Sequence, residues 1–213
     1  MQDLAALRKD YKKATLDVEN VEGHPITQFA KWFEEALNAQ VNEPNAMHLA
    51  TVDEQGRPSG RIVLLKGLDN NRFVFFTNYE SRKGSELEKN PACSLTFFWP
   101  ELERQVRIEG VATRTSEERS EAYFQSRPRE SQLGAWASPQ SRKVEDKAAL
   151  QQRMKEVETR FAGQAVLPRP KHWGGFEVIP ARIEFWQGGP GRMHDRIVYV
   201  QEGDAWAIHR VAP

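Results

Sequence analysis

The feature that most constrains the fold is a stretch, residues 61–83, in which two apolar runs lie close together. The runs RIVLL at 61–65 and RFVFFT at 72–77 are separated by Gly-Leu-Asp-Asn-Asn at 67–71. Short runs rich in Ile, Val, Leu and Phe on either side of turn residues are typical of paired strands. The stretch therefore predicts a hairpin of buried strands.

Cationic and hydroxyl side chains cluster at the ends of these predicted strands. The group comprises Arg61, Lys66, Thr77, Asn78, Ser81, Arg82 and Lys83. Arginine offers paired donors to a phosphate, and lysine offers a point charge. Ser81 is also the predicted cap of a short helix over 81–89, whose positive end would attract an anion. We predict an anion site here; the alternative for each residue is a solvated strand end.

A second candidate phosphate site lies further along the chain. Tyr123, Arg127 and Ser131 are spaced by four and would share one face of a continuous helix. Pro128 makes a straight helix implausible, but a kinked one would still gather the phenol, the guanidinium and the hydroxyl. The alternative is an arginine that compensates a helix dipole and a serine that caps.

A glycine-rich segment, EFWQGGPGRMHDR at 184–196, is the third unusual feature. Its glycines permit close approach of the backbone to a flat or bulky group. The surrounding aromatic and cationic residues are Trp186, Arg192, His194 and Arg196.

Gln105 lies on the polar side of a predicted strand, where its amide can donate and accept at a heterocycle edge. Exposure on a strand is the alternative for Gln105.

The remaining patterns predict a mainly β fold with flanking helices, an α+β class. Helices are expected over 25–39, from 115 to about 124, and over 138–162. Strands are expected at 47–52, 57–65, 93–99, 105–113, 175–179, 182–187, 196–201 and 205–211. We expect one domain over 24–213, preceded by a flexible arm over 1–23 in which Arg8 and Tyr11 could share a helical turn.

Composition excludes several classes of protein. Thirty basic and thirty acidic residues cancel, which disfavours a nucleic-acid partner. The single cysteine, Cys93, allows no internal disulfide and suits a reducing compartment. We find no signal peptide, membrane span or zinc-ligand pattern. The expectation is a cytoplasmic protein with no bound metal and no membrane partner.

Five motifs, in order, resemble the pyridoxamine 5′-phosphate oxidase family over nearly the whole chain. They are RIVLLK at 61–66, TN-x-x-SRK at 77–83, LERQVR at 102–107, YFQSRPRESQLGAWAS at 123–138, and IEFWQGG at 183–189 with R-x-HDR at 192–196. Each motif alone has modest specificity, and the ordered set is highly specific. Two positions depart from the family: Phe76 replaces a common tyrosine, and Pro190 and Gly191 replace more polar residues.

The resemblance implies an FMN-binding split β-barrel that forms a homodimer with FMN at the interface. It implies oxidation of pyridoxamine 5′-phosphate or pyridoxine 5′-phosphate to pyridoxal 5′-phosphate, with O₂ reduced to H₂O₂. The mechanism expected on this basis is hydride transfer from the substrate C4′ to flavin N5. FMN supplies the redox chemistry, and the protein supplies position and electrostatics.

Site residues follow from the resemblance by motif. The FMN-binding positions are Arg61, Ile62, Val63, Leu64, Leu65, Lys66, Phe76, Thr77, Arg82, Lys83, Gln105, Gln140, Ser141, Trp186 and Arg196, some of them from the second subunit. The substrate-binding positions are Arg8, Tyr11, Lys66, Tyr123, Arg127, Ser131, Arg192 and His194. The catalytic residues are Arg192, against the substrate ring, and His194, which orients its amine or hydroxyl.

Two other functions fit part of the sequence. A different split-barrel flavoprotein, such as a flavin reductase or an oxidase of another substrate, would keep Arg61, Arg82 and Lys83. It would not need Tyr123, Arg127, Ser131, Arg192 and His194 together. A protein without catalytic activity would carry pyridoxal phosphate or bind a polyanion such as RNA. The neutral charge balance disfavours RNA.

Overall fold

The computed structural model describes residues 10–213, which contain nine strands and five α-helices. The helices are α1 (Pro25–Asn38), α2 (Arg82–Lys89), α3 (Glu117–Ser126), α4 (Arg129–Ala137) and α5 (Lys147–Arg160). The strands are β1 (Ala46–Val52), β2 (Pro58–Leu64), β3 (Gly67–Asp69), β4 (Arg72–Asn78), β5 (Ala92–Trp99), β6 (Arg104–Arg114), β7 (Trp173–Gln187), β8 (Asp195–Glu202) and β9 (Ala205–Arg210). Short 3₁₀ turns lie at Val18–Asn20 and Pro190–Arg192. The mainly β class with flanking helices is confirmed.

All nine strands belong to one sheet. Its strand order is β2-β1-β5-β6-β7-β4-β3, and β8 pairs with both β7 and β9. By its contacts the chain divides into two compact units. The first unit consists of the described residues up to Leu49, together with Ser94–Gly110 and Pro180–Pro213. The second consists of Ala50–Cys93 and Val111–Ile179, and the single domain over 24–213 stays a prediction.

The core of the first unit is aromatic. Phe29, on the predicted apolar stripe, and Trp32, which is not on it, both lie on the buried face of α1. The ring of Phe29 lies 5.0 Å from that of Phe97, and the ring of Trp32 lies 5.2 Å from that of Phe185. Pro25 occupies the first turn of α1, and the side chain of His24 accepts a hydrogen bond from the next free backbone N–H.

The N-terminal residues from Asp10 onward contact the first unit. Backbone N–H groups of Lys12 and Lys13 donate to one carboxylate oxygen of Glu103, at 2.8 and 3.0 Å. The Leu16 N–H donates to Asp195 at 2.9 Å, and the Leu16 side chain is buried. Arg8 lies outside the described residues.

The second unit is built on the pairing of β4 with β7. The antiparallel register joins Phe73 to Val178 and Asn78 to Trp173. Apolar residues on α3, α4 and the end of α5 form a separate buried cluster with this sheet. Its members are Phe124, Leu133, Phe161, Leu167 and Trp173.

The predicted hairpin is wrong in its pairing. β4 pairs with the short strand β3 rather than with β2, which hydrogen-bonds to β1. The tight turn is Asn70-Asn71, with φ of 49° and 62°. Positive φ at both central residues is the geometry that two-residue hairpins prefer. β2 is also not buried, since Ile62 is 63% exposed.

Two further boundaries differ from the prediction. The helix expected over 138–162 begins only at Lys147, where the Asp146 carboxylate accepts from the Ala149 N–H. Ser141 has a left-handed φ of 67°, which a helix cannot contain. The two strands expected at 175–179 and 182–187 are one strand, β7. Pro180 lies between its β4-paired and β8-paired segments.

Candidate functional site

A cavity of about 610 Å³ in the second unit collects half of the predicted binding residues. Strands β2 and β4, helices α3 and α4, and the segment that follows α4 form its walls. It is lined by Ile62, Val63, Leu64, Lys66, Phe76, Thr77, Asn78, Lys83, Tyr123, Arg127, Pro128, Ser131, Gly134, Ala135, Ser138, Gln140 and Trp173. Both predicted phosphate sets therefore contribute to a single cavity.

Lys83 is the cation at one end of this cavity. Its ammonium group donates to the Gln140 side-chain oxygen at 2.9 Å and to the Thr77 hydroxyl at 3.1 Å. Ser81 caps α2 as predicted, accepting from the Gly84 N–H. Burial, together with the charge of Arg61, lowers the pKa of Lys83 to about 8. A phosphate or carboxylate bound beside Lys83 would raise its pKa again, because an opposite charge favours the ammonium form. The environment of Lys83 therefore suits an anion site.

Arg61 and Arg82 lie outside the cavity lining and share one carboxylate. Glu86 accepts from the Arg82 Nε at 2.8 Å through one oxygen. Its other oxygen accepts from Ser59 at 2.7 Å, Thr51 at 2.5 Å and Arg61 at 3.3 Å. Burial on its own would raise the pKa of Glu86, but the hydrogen bonds lower it to about 2. Glu86 therefore stays ionised and orders both guanidinium groups.

Arg127 carries the second predicted phosphate set. It caps the C-terminal end of α3, and Pro128 separates that helix from α4, so the helices are distinct rather than one kinked helix. Tyr123, Arg127 and Ser131 nevertheless line the same cavity. Within residues 10–213, the Arg127 Nη1 is buried and has no hydrogen-bond partner. Burial lowers the pKa of Arg127, and a buried donor left unpaired is costly unless a ligand pairs it.

An aromatic stack that no sequence pattern indicated forms one wall of the cavity. The Phe76 and Tyr123 rings are 3.9 Å apart and nearly parallel, and Trp173 lies 5.7 Å from Phe76. The guanidinium carbon of Arg127 sits 4.5 Å from the Trp173 ring centroid, within cation–π range. Neighbouring glycines were the only local signal near Trp173, and glycines do not identify a ligand site.

In the first unit, Tyr11, Trp186 and His194 form a ring cluster. Tyr11 meets Trp186 edge-on at 5.6 Å, and the Trp186 and His194 rings are 4.7 Å apart. The Gly189 N–H donates to the His194 Nδ1 at 3.1 Å. A neutral His194 therefore carries its proton on Nε2. Arg192 is exposed at the end of the 3₁₀ turn, with a φ of 64°.

Arg196 is held by a carboxylate. Two of its nitrogens donate to Glu184, at 2.9 and 3.0 Å, and Arg182 donates to the same group at 3.1 Å. Burial would raise the pKa of Glu184, but the bonds from Arg196 and Arg182 lower it overall. Gln105 is half-buried on β6. The contacts of Arg196 and Gln105 with FMN stay predictions.

The last predicted positions differ in exposure. Leu65 is buried, and its side chain does not line the cavity in the described part of the chain. Ser141 is exposed beside Gln140. Among residues 10–213, no group of three or more His, Cys, Asp or Glu side chains could hold a metal ion. None of the helices in this range has the length and apolar character needed to span a membrane.

Solved structures share this fold. An FMN-binding protein from Nostoc punctiforme, related to pyridoxamine 5′-phosphate oxidase, superposes with a TM-score of 0.69 at 18% identity, covering 87% of this chain and 97% of its own. PhzG from Burkholderia lata, solved with tetrahydrophenazine-1-carboxylic acid, has a TM-score of 0.86 at 30% identity, covering 94% and 100%. The fold is that of the FMN-binding split-barrel proteins.

Sequence comparison assigns the family. Residues 33–161 match the family described as pyridoxamine 5′-phosphate oxidase, and residues 173–213 match the pyridoxine 5′-phosphate oxidase C-terminal dimerisation region. The pyridoxine/pyridoxamine 5′-phosphate oxidase of Paraburkholderia phymatum is 55% identical over the full length of both chains. That of Burkholderia thailandensis is 56% identical, again over both full lengths. This chain belongs to the pyridoxamine 5′-phosphate oxidase family, a family of flavin-dependent oxidoreductases.

Proposed function

We propose that the protein is an FMN-dependent oxidase that converts pyridoxine 5′-phosphate or pyridoxamine 5′-phosphate to pyridoxal 5′-phosphate. The observation that carries the proposal is the Arg127 side chain, which lines the cavity and whose buried Nη1 has no hydrogen-bond partner among residues 10–213. Phosphate monoesters pair well with such a group, because arginine donors match phosphate oxygens. The relatives from Paraburkholderia phymatum and Burkholderia thailandensis are named as oxidases of these two phosphates.

FMN is the cofactor, and the cavity is suited to it. Lys83, with Thr77 and Gln140 beside it, offers donors to a phosphate or a flavin carbonyl. The exposed edge strand β2 contributes Ile62 and Leu64, whose apolar side chains could cover an isoalloxazine ring. Arg61 and Arg82, ordered by Glu86, add positive charge near Lys83. We assign all of these residues to FMN.

The substrate phosphate is assigned to Lys66, Tyr123, Arg127 and Ser131. These four line the cavity together. Lys66 is exposed and brings a mobile charge, whereas Arg127 is partly buried and brings fixed donors. Two phosphate sites in one cavity suit two phosphorylated molecules held together.

Arg192 and His194 are assigned to the substrate ring. The Gly189 N–H occupies Nδ1 of His194, so that Nε2–H is the group available to a substrate amine or hydroxyl. His194 would thus orient the reacting substituent by donating a hydrogen bond. Tyr11 packs against His194 at 5.9 Å between ring centroids and would cover the same place, with Arg8 beside it in sequence.

FMN bound in the cavity would accept a hydride from the substrate C4′ at its N5 and return the electrons to O₂, giving H₂O₂. The alcohol substrate loses two hydrogens to become the aldehyde. The amine substrate also consumes one water and releases ammonia. The protein's own contribution is to hold the reacting atoms close, an effect worth up to about 7–11 kcal/mol.

The active form is proposed to be a homodimer with FMN at the interface. The match of residues 173–213 to a dimerisation region supports it. Ile62 is 63% exposed on an edge strand, which is unusual for a large apolar side chain next to a cavity. A cytoplasmic location stays a prediction.

The test is spectroscopic and kinetic. The purified protein should be yellow, bleach on anaerobic addition of pyridoxine 5′-phosphate, and release peroxide when air is admitted. Arg127→Ala should raise KM by about 10-fold to 150-fold, from the loss of a charge-assisted bond. A holoprotein that bleaches with NADH but with neither phosphorylated substrate would instead be a flavin reductase. A colourless protein that FMN cannot reconstitute would reject catalysis.

A further inference from the structure

Arg127 is held differently from the other arginines near the cavity. Arg61 and Arg82 share the Glu86 carboxylate, which compensates their charge. Arg127 makes no salt bridge within the described residues, and its guanidinium instead lies over the Trp173 indole, 4.5 Å from the ring centroid. An aromatic face attracts a cation without neutralising it and leaves the N–H donors unused. This support keeps Arg127 ready for an incoming anion.

Trp173 is itself rigidly placed. It is the first residue of β7 and pairs with Asn78 of β4. Trp173 is only 6% exposed. Its ring lies within 8° of parallel to the Tyr123 ring and makes an edge contact with the Phe124 ring, with centroids 5.4 Å apart. A buried indole packed against Tyr123 and Phe124 does not follow Arg127 if the guanidinium moves, so the indole defines one position for that group.

We propose that Trp173 is a positioning residue that holds the Arg127 guanidinium over its ring, so that its unpaired donors stay available to the phosphate of a B6 vitamer in this cavity. The proposal deepens the proposed function, because it rests on the assignment of the substrate phosphate to Arg127. Trp173 acts through Arg127 and does not itself bind the phosphate.

The experiment compares pyridoxal 5′-phosphate with pyridoxal, which lacks only the phosphate, as probes of the holoenzyme. Trp173→Leu should weaken pyridoxal 5′-phosphate binding by about 3-fold to 30-fold, the range of a buried cation–π contact. Trp173→Phe, which keeps a smaller aromatic face, should lose less. Pyridoxal and FMN should bind both variants as they bind the wild type. The proposal would be overturned if pyridoxal 5′-phosphate and pyridoxal lost affinity equally, or if the affinity for pyridoxal 5′-phosphate did not change.

A double-mutant cycle separates positioning from general packing. With Arg127→Ala already present, adding Trp173→Phe should cost nothing further in pyridoxal 5′-phosphate affinity, because the effect passes through Arg127. Additive losses would overturn the proposal. The cycle uses only the conservative variant, so it remains decisive if Trp173→Leu does not fold.

Trp136→Phe is the matched control. Trp136 also lies under an arginine, with the Arg160 guanidinium carbon 4.8 Å from its ring, but it does not line the cavity. Its substitution should leave the affinities for both vitamers unchanged. If Arg127→Ala itself leaves pyridoxal 5′-phosphate affinity unchanged, the proposed phosphate assignment fails. If Arg127→Ala weakens binding and Trp173→Phe and Trp173→Leu do not, only the role of Trp173 fails.

Discussion

The ammonium group of Lys83 lies 2.9 Å from the side-chain oxygen of Gln140, although 57 residues separate them in sequence. Both were assigned to FMN by the resemblance to the pyridoxamine 5′-phosphate oxidase family. Lys83 comes from the first turn of α2, and Gln140 comes from the segment between α4 and α5. Their contact joins the anion site near Ser81 to the wall that carries Arg127.

The first prediction concerns the pH dependence of FMN binding. The pKa of Lys83 is lowered to about 8 by burial and by Arg61, so the uncomplexed protein loses this charge as the pH rises through 8. FMN, whose phosphate is a dianion above pH 7, binds the charged form better. Its dissociation constant should rise by about 3-fold to 10-fold between pH 7.5 and 9, measured by quenching of flavin fluorescence.

Lys83→Arg is the control for this pH effect. Arginine stays protonated throughout the range, so the variant should bind FMN with little dependence on pH. A slope equal to that of the wild type would show that another group titrates.

The second prediction concerns acid stability. The pKa of Glu86 is lowered to about 2, so its stabilising contribution is complete above the unfolded value of 4.5 and is lost as the pH falls toward 2. Glu86→Gln should lower the free energy of unfolding at pH 7 by about 1–3 kcal/mol. Between pH 5 and pH 3 the variant should lose less stability than the wild type does. Urea unfolding at each pH measures both effects.

Glu88→Gln is the matched control on the same helix. Glu88 pairs with Arg114 at 2.6 Å but is 40% exposed, and exposed pairs contribute about 0–1 kcal/mol. Its unfolding free energy and pH slope should stay close to those of the wild type. If both variants behave alike, burial of Glu86 among its partners has no special effect.

Helix ends were the most predictable part of this fold. Pro25 and Ser81 lie where the sequence predicts helix starts, and Pro128 separates α3 from α4 as expected. The cap of α3 is Ser116, one residue after the predicted start at 115. Each signal is local, because a cap or a proline acts on the backbone within one turn. The same local rule failed at 138–139, where Ser-Pro mimics a helix start but the left-handed Ser141 prevents one.

The site could be predicted from the residues themselves only where its members lie close together in the sequence. Lys83 and Arg127 were found from their chemistry, because cations beside hydroxyls suggest a phosphate. Trp173 was not found, because its contact with Arg127 depends on the pairing of β7 with β4. The Glu86 carboxylate on α2 was also missed, because its contact with Arg61 depends on how β2 packs near that helix.

The third prediction concerns Gly189, whose N–H donates to His194. A Cβ at this position would collide with the backbone carbonyl of Met193, so Gly189→Ala must shift the loop. We expect kcat to fall by about 10-fold or more as the His194 ring loses its hydrogen bond, with FMN affinity unchanged. Single-turnover reduction of the bound flavin measures the effect.

Gly191→Ala is the comparison within the same loop. A Cβ there meets nothing within 4 Å, although the φ of 60° adds strain of about 1–2 kcal/mol. Flavin reduction should change much less in this variant. An equal fall in both variants would point to loop strain in general rather than to the bond between Gly189 and His194.

The fourth prediction separates turnover from cofactor binding at Arg192. This side chain is exposed. Arg192 is the last residue of the short 3₁₀ turn and has a left-handed φ of 64°. If it contacts the substrate ring, Arg192→Ala should lower kcat/KM by about 10-fold to 150-fold, since a charged partner is lost during reaction. FMN affinity should change by no more than about 2-fold, because the assigned FMN donors are elsewhere. Met193→Ala, which truncates a neighbour that is 71% exposed, should alter neither quantity. Loss of flavin from the Arg192 variant in parallel with activity would reassign Arg192 to the cofactor.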